Sequence, residues 1–316
     1  MKRVCLVTYT RSTEGFTEEL HDIAEHLSAK YGDKFKVVIC CEQKIEVSLT
    51  NYQIDIFETS GTKYRRLIEL MEADDSEYYI SVDNDITGNI PEIMSFVDTI
   101  IASKYEVGWG RIRAKKQKKF ISNMVAVDKL LSHNIIRPAL WKLNVGISIP
   151  GQIFCIKGDS FRGKLLELDT FLDDLALGLY VSINNSKKYV TSSILGYEQP
   201  NGTFGGLWNQ RKRWAIGFTS ILKAVINTKE YRTKVIIHGL SYHFSWLINW
   251  VLAALFIVLL GPWGLLYFVV IGLLISRKDI GMLFYAIIYQ LFFPIFHIRW
   301  IIVFLKEVKN GGQVCQ

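Results

Sequence analysis

Short apolar runs alternate with amphipathic stretches along the first 240 residues of the chain. Apolar residues recur at helical spacing over residues 16–31 and 63–71, which predicts two helices. Four apolar runs have the length of buried strands, at residues 4–8, 35–41, 54–57 and 78–82. Strands that alternate with helices indicate a doubly wound, mostly parallel α/β sheet, and in such sheets ligands bind beyond the carboxyl ends of the strands.

After residue 243 the pattern changes to continuous apolar sequence. Residues 244–275 carry no charge, and residues 280–305 form a second apolar block that contains Pro294. A membrane helix needs about 20 apolar residues. The first block predicts two short helices joined at Gly261-Pro262, since proline favours a break. The second block predicts either one long helix or a re-entrant pair kinked at Pro294.

A buried core helix is the alternative to a membrane segment, but an uncharged run of 32 residues exceeds the usual length of such helices. No signal peptide opens the chain, and basic residues precede the first block. We therefore expect a chain in the cell membrane whose first 240 residues are cytosolic. A spanning last block would put Lys306 and Lys309 outside, against the positive-inside rule, whereas a re-entrant block would keep them inside.

The composition agrees with attachment to a membrane. The chain has 37 Lys and Arg against 30 Asp and Glu, which gives a formal charge of +7, and half of its residues are hydrophobic. The mean hydropathy is +0.19, and the composition excludes a disordered, collagen-like or disulfide-scaffold protein. Five cysteines without metal or redox spacing indicate reduced thiols. The basic residues within 111–119 indicate a solvated or lipid-facing loop rather than a nucleic-acid site.

Two carboxylates, Asp83 and Asp85, come directly after the strand predicted at residues 78–82. Carboxylates at positions i and i+2 can share one hard cation, and Mg²⁺ or Mn²⁺ held in this way bridges to the phosphates of a substrate. The alternative is a solvated turn in which Asn and Asp side chains cap backbone groups. The motif by itself leaves both interpretations open.

Asp173 and Asp174 begin a predicted apolar helix. Acidic residues at a helix N-terminus are favoured by the helix dipole, which is a structural reason for their presence. A carboxylate shielded by apolar neighbours also has a raised proton affinity and can take the proton of a hydroxyl. This pair is therefore a candidate general base.

Gln210, Arg213 and Trp214 lie in a basic segment before the apolar blocks. An arginine can bind a pyrophosphate, and a tryptophan can stack on a sugar. The alternative is a juxtamembrane patch that binds anionic lipids. The spacing of the three residues is more specific than that of the paired carboxylates.

These three motifs, in this order and followed by apolar helices, resemble those of the family 2 glycosyltransferases, especially the membrane-bound hyaluronan, chitin and cellulose synthases. The resemblance covers about residues 1–260. Two further segments are similar to the nucleotide-contacting Gly-Lys segment and to the acceptor-side glycine-rich segment of that family, residues 60–63 and 151–154.

The resemblance implies an α/β fold of the GT-A (Rossmann-like) type, followed by a C-terminal α-helical membrane module. The implied divisions are a catalytic domain, an amphipathic interface segment, two to three transmembrane helices and a tail, at residues 1–217, 218–243, 244–305 and 306–316.

The resemblance also assigns roles by position. Asp174 is the expected base for the acceptor hydroxyl, and Asp85 is the expected ligand of Mg²⁺ or Mn²⁺. The residues expected to hold the nucleotide-sugar are Asp83, Lys63, Glu42, Gln210, Arg213 and Trp214. Those expected on the acceptor side are Gly151, Gln152, Asp173 and again Trp214.

The implied activity is inverting transfer from a nucleotide-diphosphate sugar, expected to be a UDP-sugar, to a growing polysaccharide or a lipid-linked acceptor. The expected partners are membrane lipids and either a second copy or another membrane subunit, without nucleic acid. The alternative is a non-catalytic or partner-dependent subunit that binds nucleotide-sugar. Leu172-Asp173, where the family usually has Thr-Glu, and Cys41-Glu42, where it usually has Asp-Asp, motivate that alternative.

Overall fold

The computed structural model describes residues 3–10, 16–43, 50–115 and 118–310, so that Lys116 and Cys315 lie outside the described residues. The chain forms two compact units. The sheet unit consists of Met1–Arg113 and Ser148–Gln199, and the helical unit consists of Ala114–Ile147 and Pro200–Gln316.

The strands all belong to one sheet. They are β1 (Val4–Tyr9), β2 (Phe35–Cys41), β3 (Gln53–Glu58), β4 (Tyr78–Val82), β5 (Ile86–Gly88), β6 (Val107–Ala114), β7 (Ile153–Lys157) and β8 (Lys188–Glu198). The four strands predicted from the sequence are β1 to β4, and the observed bounds differ from the predicted ones by one residue or less at each end.

The helices are distributed over both units. They are α1 (Glu18–Tyr31), α2 (Lys63–Ala73), α3 (Ile90–Ala102), α4 (Phe120–Leu131), α5 (Arg137–Lys142), α6 (Gly158–Phe161), α7 (Asp173–Ile183), α8 (Phe204–Ala224), α9 (Lys229–His243), α10 (Ser245–Leu260), α11 (Leu266–Ser276), α12 (Leu283–Phe292) and α13 (Pro294–Lys309). Short 3₁₀ or π segments lie at Gly32–Lys34, Ser132–Ile136, Gly261–Leu265 and Ile280–Met282.

The sheet has the strand order β3-β2-β1-β4-β7-β6-β8-β5. The half formed by β3, β2, β1 and β4 is parallel. β7 runs antiparallel to both β4 and β6, and β5 runs antiparallel to β8. The expectation of a mostly parallel sheet is therefore wrong for the second half, because β7 returns between β4 and β6 in the opposite direction.

Apolar residues from β1, β2 and β4 meet α1 and α3 in the core of the sheet unit. β1 and β4 are buried on both faces, which explains why they occur in the sequence as continuous apolar runs. Thr17 caps α1 by accepting a hydrogen bond from the backbone N–H of Leu20 at 3.4 Å, so this helix begins two residues later than predicted. The packed layer holds the carboxyl ends of β1, β2 and β4 at one edge.

The helical unit has its own apolar core, to which α4, α11 and α12 contribute. Met124 and Val127 of α4 pack in one cluster with Ile275 of α11 and Ala286 of α12. This packing explains why residues 114–147 belong to the helical unit, although the linear division expected from the sequence placed them in the catalytic domain. Phe218 of α8 meets Trp300 of α13 with ring centroids 5.2 Å apart.

The chain reverses direction between α10 and α11. Gly261 has a φ of +59°, which favours glycine, and the hydroxyl of Tyr267 donates a hydrogen bond to Asn249 Oδ1 at 3.0 Å. In a straight helix, two residues 18 positions apart would be about 27 Å apart along the axis. The first apolar block is thus a helical hairpin, and the predicted break at Gly261-Pro262 is confirmed.

Taken together, the helices of this hairpin, Ser245–Ser276, have the length and composition of a segment that could cross a membrane. Ile280–Phe292 and Pro294–Lys309 pass the same test as a pair bent by 41°, so the predicted kink at Pro294 is confirmed. Only 6% of the most apolar window of Ser245–Ser276 is buried, which excludes a core helix of this unit.

Candidate active site

The carboxyl end of β4 brings the paired acidic residues to the edge of the sheet. Asp83 follows β4 directly, and its backbone N–H donates a hydrogen bond to the carbonyl of Gln152 at 3.0 Å. Asp83 is partly exposed, and Asp85 is exposed. The segment expected on the acceptor side, Gly151-Gln152, therefore lies against the segment expected to bind the nucleotide.

Lys63, the first residue of α2, joins the carboxylates of this edge. Its ammonium donates a hydrogen bond to Asp83 Oδ1 at 2.7 Å and another to the carbonyl of Gly151, and it lies 3.2 Å from Asp173 Oδ2. Its side chain is only 17% exposed. One buried cation thus contacts residues from β4, from the segment before β7 and from the start of α7.

The rings of Tyr9 and Phe154 enclose the Lys63 ammonium. Their centroids lie 5.1 Å and 5.2 Å from Nζ. A cation over aromatic faces is attracted by the ring quadrupole, so both rings favour the charged form of Lys63. Tyr9 lies at the end of β1, where the sequence pattern did not single it out.

Charges within the cluster change the proton affinities of its members. Burial raises the pKa of Asp83 to about 6, and the carboxylate of Asp173 adds to this effect, whereas the Lys63 ammonium opposes it. Burial also lowers the pKa of Lys63, but Asp173 and Asp83 outweigh it, so the pKa of Lys63 lies above its usual value. At neutral pH the ammonium and the Asp83 carboxylate are therefore both charged.

Asp173 and Asp174 are the first two residues of α7, as the sequence predicted. The backbone N–H of Leu175 donates a hydrogen bond to Asp174 Oδ1 at 2.8 Å. Gly151 lies directly beside the pair: a Cβ on it would be 3.2 Å from Asp174 Cβ and 3.4 Å from Asp173 Oδ2. The absence of a side chain at position 151 is what lets this segment approach the start of α7.

The side chains of Gln152 and Glu42 each have a polar partner. The side-chain amide of Gln152 donates to Glu198 Oε2 at 2.8 Å, which ties it to the end of β8. Glu42, just after β2, forms an ion pair with Arg66 of α2. The structure thus holds Glu42 in place at the carboxyl end of β2, and its contact with a nucleotide base stays a prediction.

Arg66 and Asp169 were not singled out from the sequence. The Arg66 guanidinium donates to the carbonyls of Thr10 and Gly61, both at 3.0 Å. Asp169 Oδ1 accepts a hydrogen bond from the backbone N–H of Thr62 at 2.9 Å. Both residues fix the loop that leads into α2 and hence Lys63. The sequence contained one signal for Arg66, because this arginine lies on the otherwise apolar face of the helix predicted at residues 63–71.

Gln210, Arg213 and Trp214 lie in the helical unit, on α8. Arg213 is exposed, and Gln210 and Trp214 are half-buried. Arg211, between them, is 2% exposed and forms an ion pair with Asp128 of α4 at 2.8 Å. The sequence indicated one basic segment, but the structure distinguishes a buried arginine from two exposed basic residues.

No protein-family model and no curated protein matches the chain. Among solved structures, the mannosyltransferase PcManGT from Pyrobaculum calidifontis, in complex with GDP-Man and Mn²⁺, is 13% identical with a TM-score of 0.54, over 98% of this chain and 88% of that one.

Two other solved structures align with lower TM-scores. TarS residues 1–349 from S. aureus are 14% identical with a TM-score of 0.48, over 98% of this chain and 92% of that one. Glucosyl-3-phosphoglycerate synthase from Mycobacterium tuberculosis is 11% identical with a TM-score of 0.46, over 71% of this chain and 78% of that one.

The likeness to the mannosyltransferase shows a shared fold. The sheet unit, a mixed sheet flanked by helices, matches the GT-A, Rossmann-like fold that the sequence predicted. At this level of identity the likeness concerns the fold alone, and the roles of the residues in the cluster stay predictions.

Proposed function

We propose that the chain is an inverting family 2 glycosyltransferase that moves a sugar from a nucleotide-diphosphate sugar, a UDP-sugar in our proposal, to a growing polysaccharide or a lipid-linked acceptor at the membrane. The observation that carries the proposal is the cluster of Lys63 with Asp83 and Asp173 beside Gly151, at the carboxyl edge of a GT-A-type sheet. Ligands bind at this edge in open α/β sheets. The mannosyltransferase of the same fold binds GDP-Man and Mn²⁺.

Asp83 and Asp85 fit a divalent cation. Both offer hard oxygen ligands at one strand end, and within the described residues no group of three or more His, Cys, Asp or Glu side chains converges as a complete metal site. Mg²⁺ and Mn²⁺ suit a site with few carboxylates, because substrate phosphates complete their coordination. When bound, such a cation would neutralise the diphosphate and make it a better leaving group.

Asp174, next to Asp173 at the start of α7, is the proposed acceptor of the hydroxyl proton. In the proposed reaction Asp174 takes the acceptor hydroxyl proton while the oxygen bonds to the anomeric carbon, and the carbon–oxygen bond to the diphosphate breaks with its electron pair on the leaving nucleotide. Attack opposite the leaving group inverts the configuration. Lys63 supplies a buried positive charge to the diphosphate, and Arg213 supplies charge-assisted hydrogen bonds in the role that the resemblance assigns to it.

The helical unit is the proposed membrane anchor. It carries 19 Lys and Arg against four Asp and Glu, a formal charge of +15, whereas the sheet unit carries 18 against 26, a charge of −8. Leu259, Trp263 and Leu266 of the hairpin region are each more than half exposed. Exposed apolar helices combined with a basic surface fit a leaflet of anionic lipids. We propose the cytosolic face of the cell membrane as the location, with either a second copy or another membrane subunit as partner.

Nucleotide release tests the activity. Membranes that contain the full chain are incubated with a panel of UDP- and GDP-sugars and Mn²⁺, and both the released nucleotide and the size of the product are measured. Mn²⁺-dependent release from one donor is the expected result. Donor binding without release, in the presence of saccharide acceptors, would contradict the proposal and support the non-catalytic alternative.

Flotation with vesicles tests the location. The purified chain should float with vesicles that contain anionic lipid and should float less with purely zwitterionic vesicles. Salt should weaken the difference between the two without releasing the inserted protein, since salt screens charges but not apolar contacts. A chain that stays soluble in the absence of detergent and lipid would contradict the anchor.

A further inference from the structure

Arg211 is buried within a segment that is otherwise basic and exposed. Its neighbours Lys212 and Arg213 face solvent, whereas Arg211 is 2% exposed. Burying a charge is costly unless the charge is paired and hydrogen-bonded, so the surroundings of this guanidinium determine what it does.

The guanidinium is paired with an acid from a second helix, and a phenol from a third helix binds that acid. Arg211 Nη2 donates to Asp128 Oδ2 at 2.8 Å, and the hydroxyl of Tyr289 donates to Asp128 Oδ1 at 2.7 Å. Asp128 belongs to α4 and Tyr289 to α12. Both oxygens of the carboxylate are used, so the position of the guanidinium is determined by α4 and α12 together.

The same guanidinium lies over two aromatic rings. The centroid of Trp214 lies 4.2 Å from Arg211 Cζ, and that of Phe293 lies 5.2 Å from it. Phe293 in turn stacks on Tyr289 at 4.5 Å. Arg211 Nε finds no hydrogen-bond partner among the described residues, so one hydrogen bond to Asp128 and the ring contacts are what orient the group.

A purely structural role would not need this chemistry. Well-packed apolar residues commonly replace a buried ion pair without loss of stability. A planar cation against an indole, however, fixes the orientation of the ring in a way that an apolar side chain does not. Trp214 is only half-buried, so part of its ring stays uncovered.

We propose that Arg211 is a positioning residue that fixes the Trp214 indole for stacking on the acceptor sugar, which rests on the proposed transfer activity. Asp128 and Tyr289 hold Arg211, and Arg211 holds Trp214. The orientation of the Trp214 ring, on which the acceptor sugar would stack, therefore depends on α12, a helix of the proposed membrane anchor.

A spectroscopic experiment without substrate tests the contact. The near-ultraviolet circular dichroism of the full chain minus that of Trp214→Phe isolates the signal of this indole. Arg211→Met should remove most of that signal, whereas the control Lys212→Met, at the exposed neighbouring position, should keep it. An unchanged Trp214 signal in a folded Arg211→Met protein would overturn the proposal.

A kinetic experiment tests the role. The acceptors are three trisaccharides, one built of glucose, one of N-acetylglucosamine and one of mannose. Arg211→Met should raise the acceptor KM about ten-fold and leave the donor KM unchanged. Tyr289→Phe, a milder change, should act in the same direction, and Tyr285→Phe one turn away should not. In a Trp214→Ala background, Arg211→Met should have no further effect, because Arg211 acts through Trp214.

The outcomes separate the two proposals. Additive effects of Arg211→Met and Trp214→Ala, or a rise in the donor KM equal to that in the acceptor KM, would overturn the positioning role. Absence of transfer by the unmodified protein would overturn the proposed function instead. The dichroism experiment needs no substrate, so it would still show whether Arg211 orients the Trp214 indole.

Discussion

The Lys63 ammonium and the Asp83 carboxylate form a largely buried ion pair 2.7 Å apart. The two residues are 20 positions apart in the sequence, at the start of α2 and the end of β4. Asp83 is at the same time the residue whose pKa is raised to about 6, so the pair links the charge of Lys63 to the protonation of a candidate donor-binding carboxylate.

Metal-dependent donor binding should weaken as the pH falls below about 6. Protonation of Asp83 near this pH removes the negative charge on which a cation depends, because the pKa is raised from the usual value of about 4. Lys63→Met should move the midpoint to a higher pH, since the ammonium opposes the rise. Calorimetry with UDP and Mn²⁺ between pH 5 and 8 measures the midpoint. The control Lys30→Met, at an exposed ion pair, should leave it unchanged.

Asp174→Asn should keep donor binding and lose transfer by about 10²–10⁴-fold, the usual contribution of a general base. The amide preserves the size of the side chain but cannot take the acceptor proton. Nucleotide release and calorimetric donor affinity, measured on the same preparation, separate the two effects. Asp159→Asn, at a side chain that is 70% exposed, is the matched control. Unaltered turnover in Asp174→Asn would rule out this residue as the base.

Asp85→Ala should lose the metal-dependent part of donor binding. The carboxylate lies at the exposed end of the β4 edge, and its removal takes away an oxygen ligand of the proposed cation. Donor affinity is compared with Mn²⁺ and with a chelator. The wild-type protein should show a large difference between the two conditions and Asp85→Ala should show none. An equal gain from Mn²⁺ in both proteins would contradict the assignment.

Gly151→Ala should reduce activity more than stability. The added Cβ would lie 3.2 Å from Asp174 Cβ, so the segment must shift away from α7 by a few tenths of an ångström. A shift of this kind displaces the carbonyl that Lys63 contacts. Turnover and thermal unfolding measure the two effects. Gly205→Ala on α8, where a Cβ meets nothing within 4 Å, should leave turnover unchanged and stabilise its helix slightly.

Arg66→Met should lower the free energy of unfolding by about 2–4 kcal/mol, because it leaves the carbonyls of Thr10 and Gly61 without a hydrogen bond they now accept. Arg65→Met, at a neighbouring side chain that is 51% exposed and paired with Glu69, should destabilise the protein far less, because exposed ion pairs contribute little. Denaturant unfolding in detergent measures both changes. Equal losses in the two variants would show that the buried hydrogen bonds of Arg66 contribute little.

Local features of the site were predictable from the sequence. The apolar run of β4 followed by Asp83 placed that residue at a strand end, and the spacing after Asp173 placed both acids at a helix start. The break at Gly261-Pro262 and the kink at Pro294 follow from the backbone restrictions of these residues. Such features depend on residues within one or two turns of each other, so a single sequence contains them.

The contacts that assemble the site depended on the tertiary structure. Lys63 meets Asp173 from 110 positions away, and Arg211 meets Asp128 across two helices. Two further features depended on the tertiary structure in the same way. β7 is inserted antiparallel between β4 and β6, and α4 belongs to the helical unit. Periodicity shows which face of an element is apolar but not which partner covers it. The partner is decided by the packing of the whole chain, where a buried cation such as Lys63 or Arg211 must find its carboxylate.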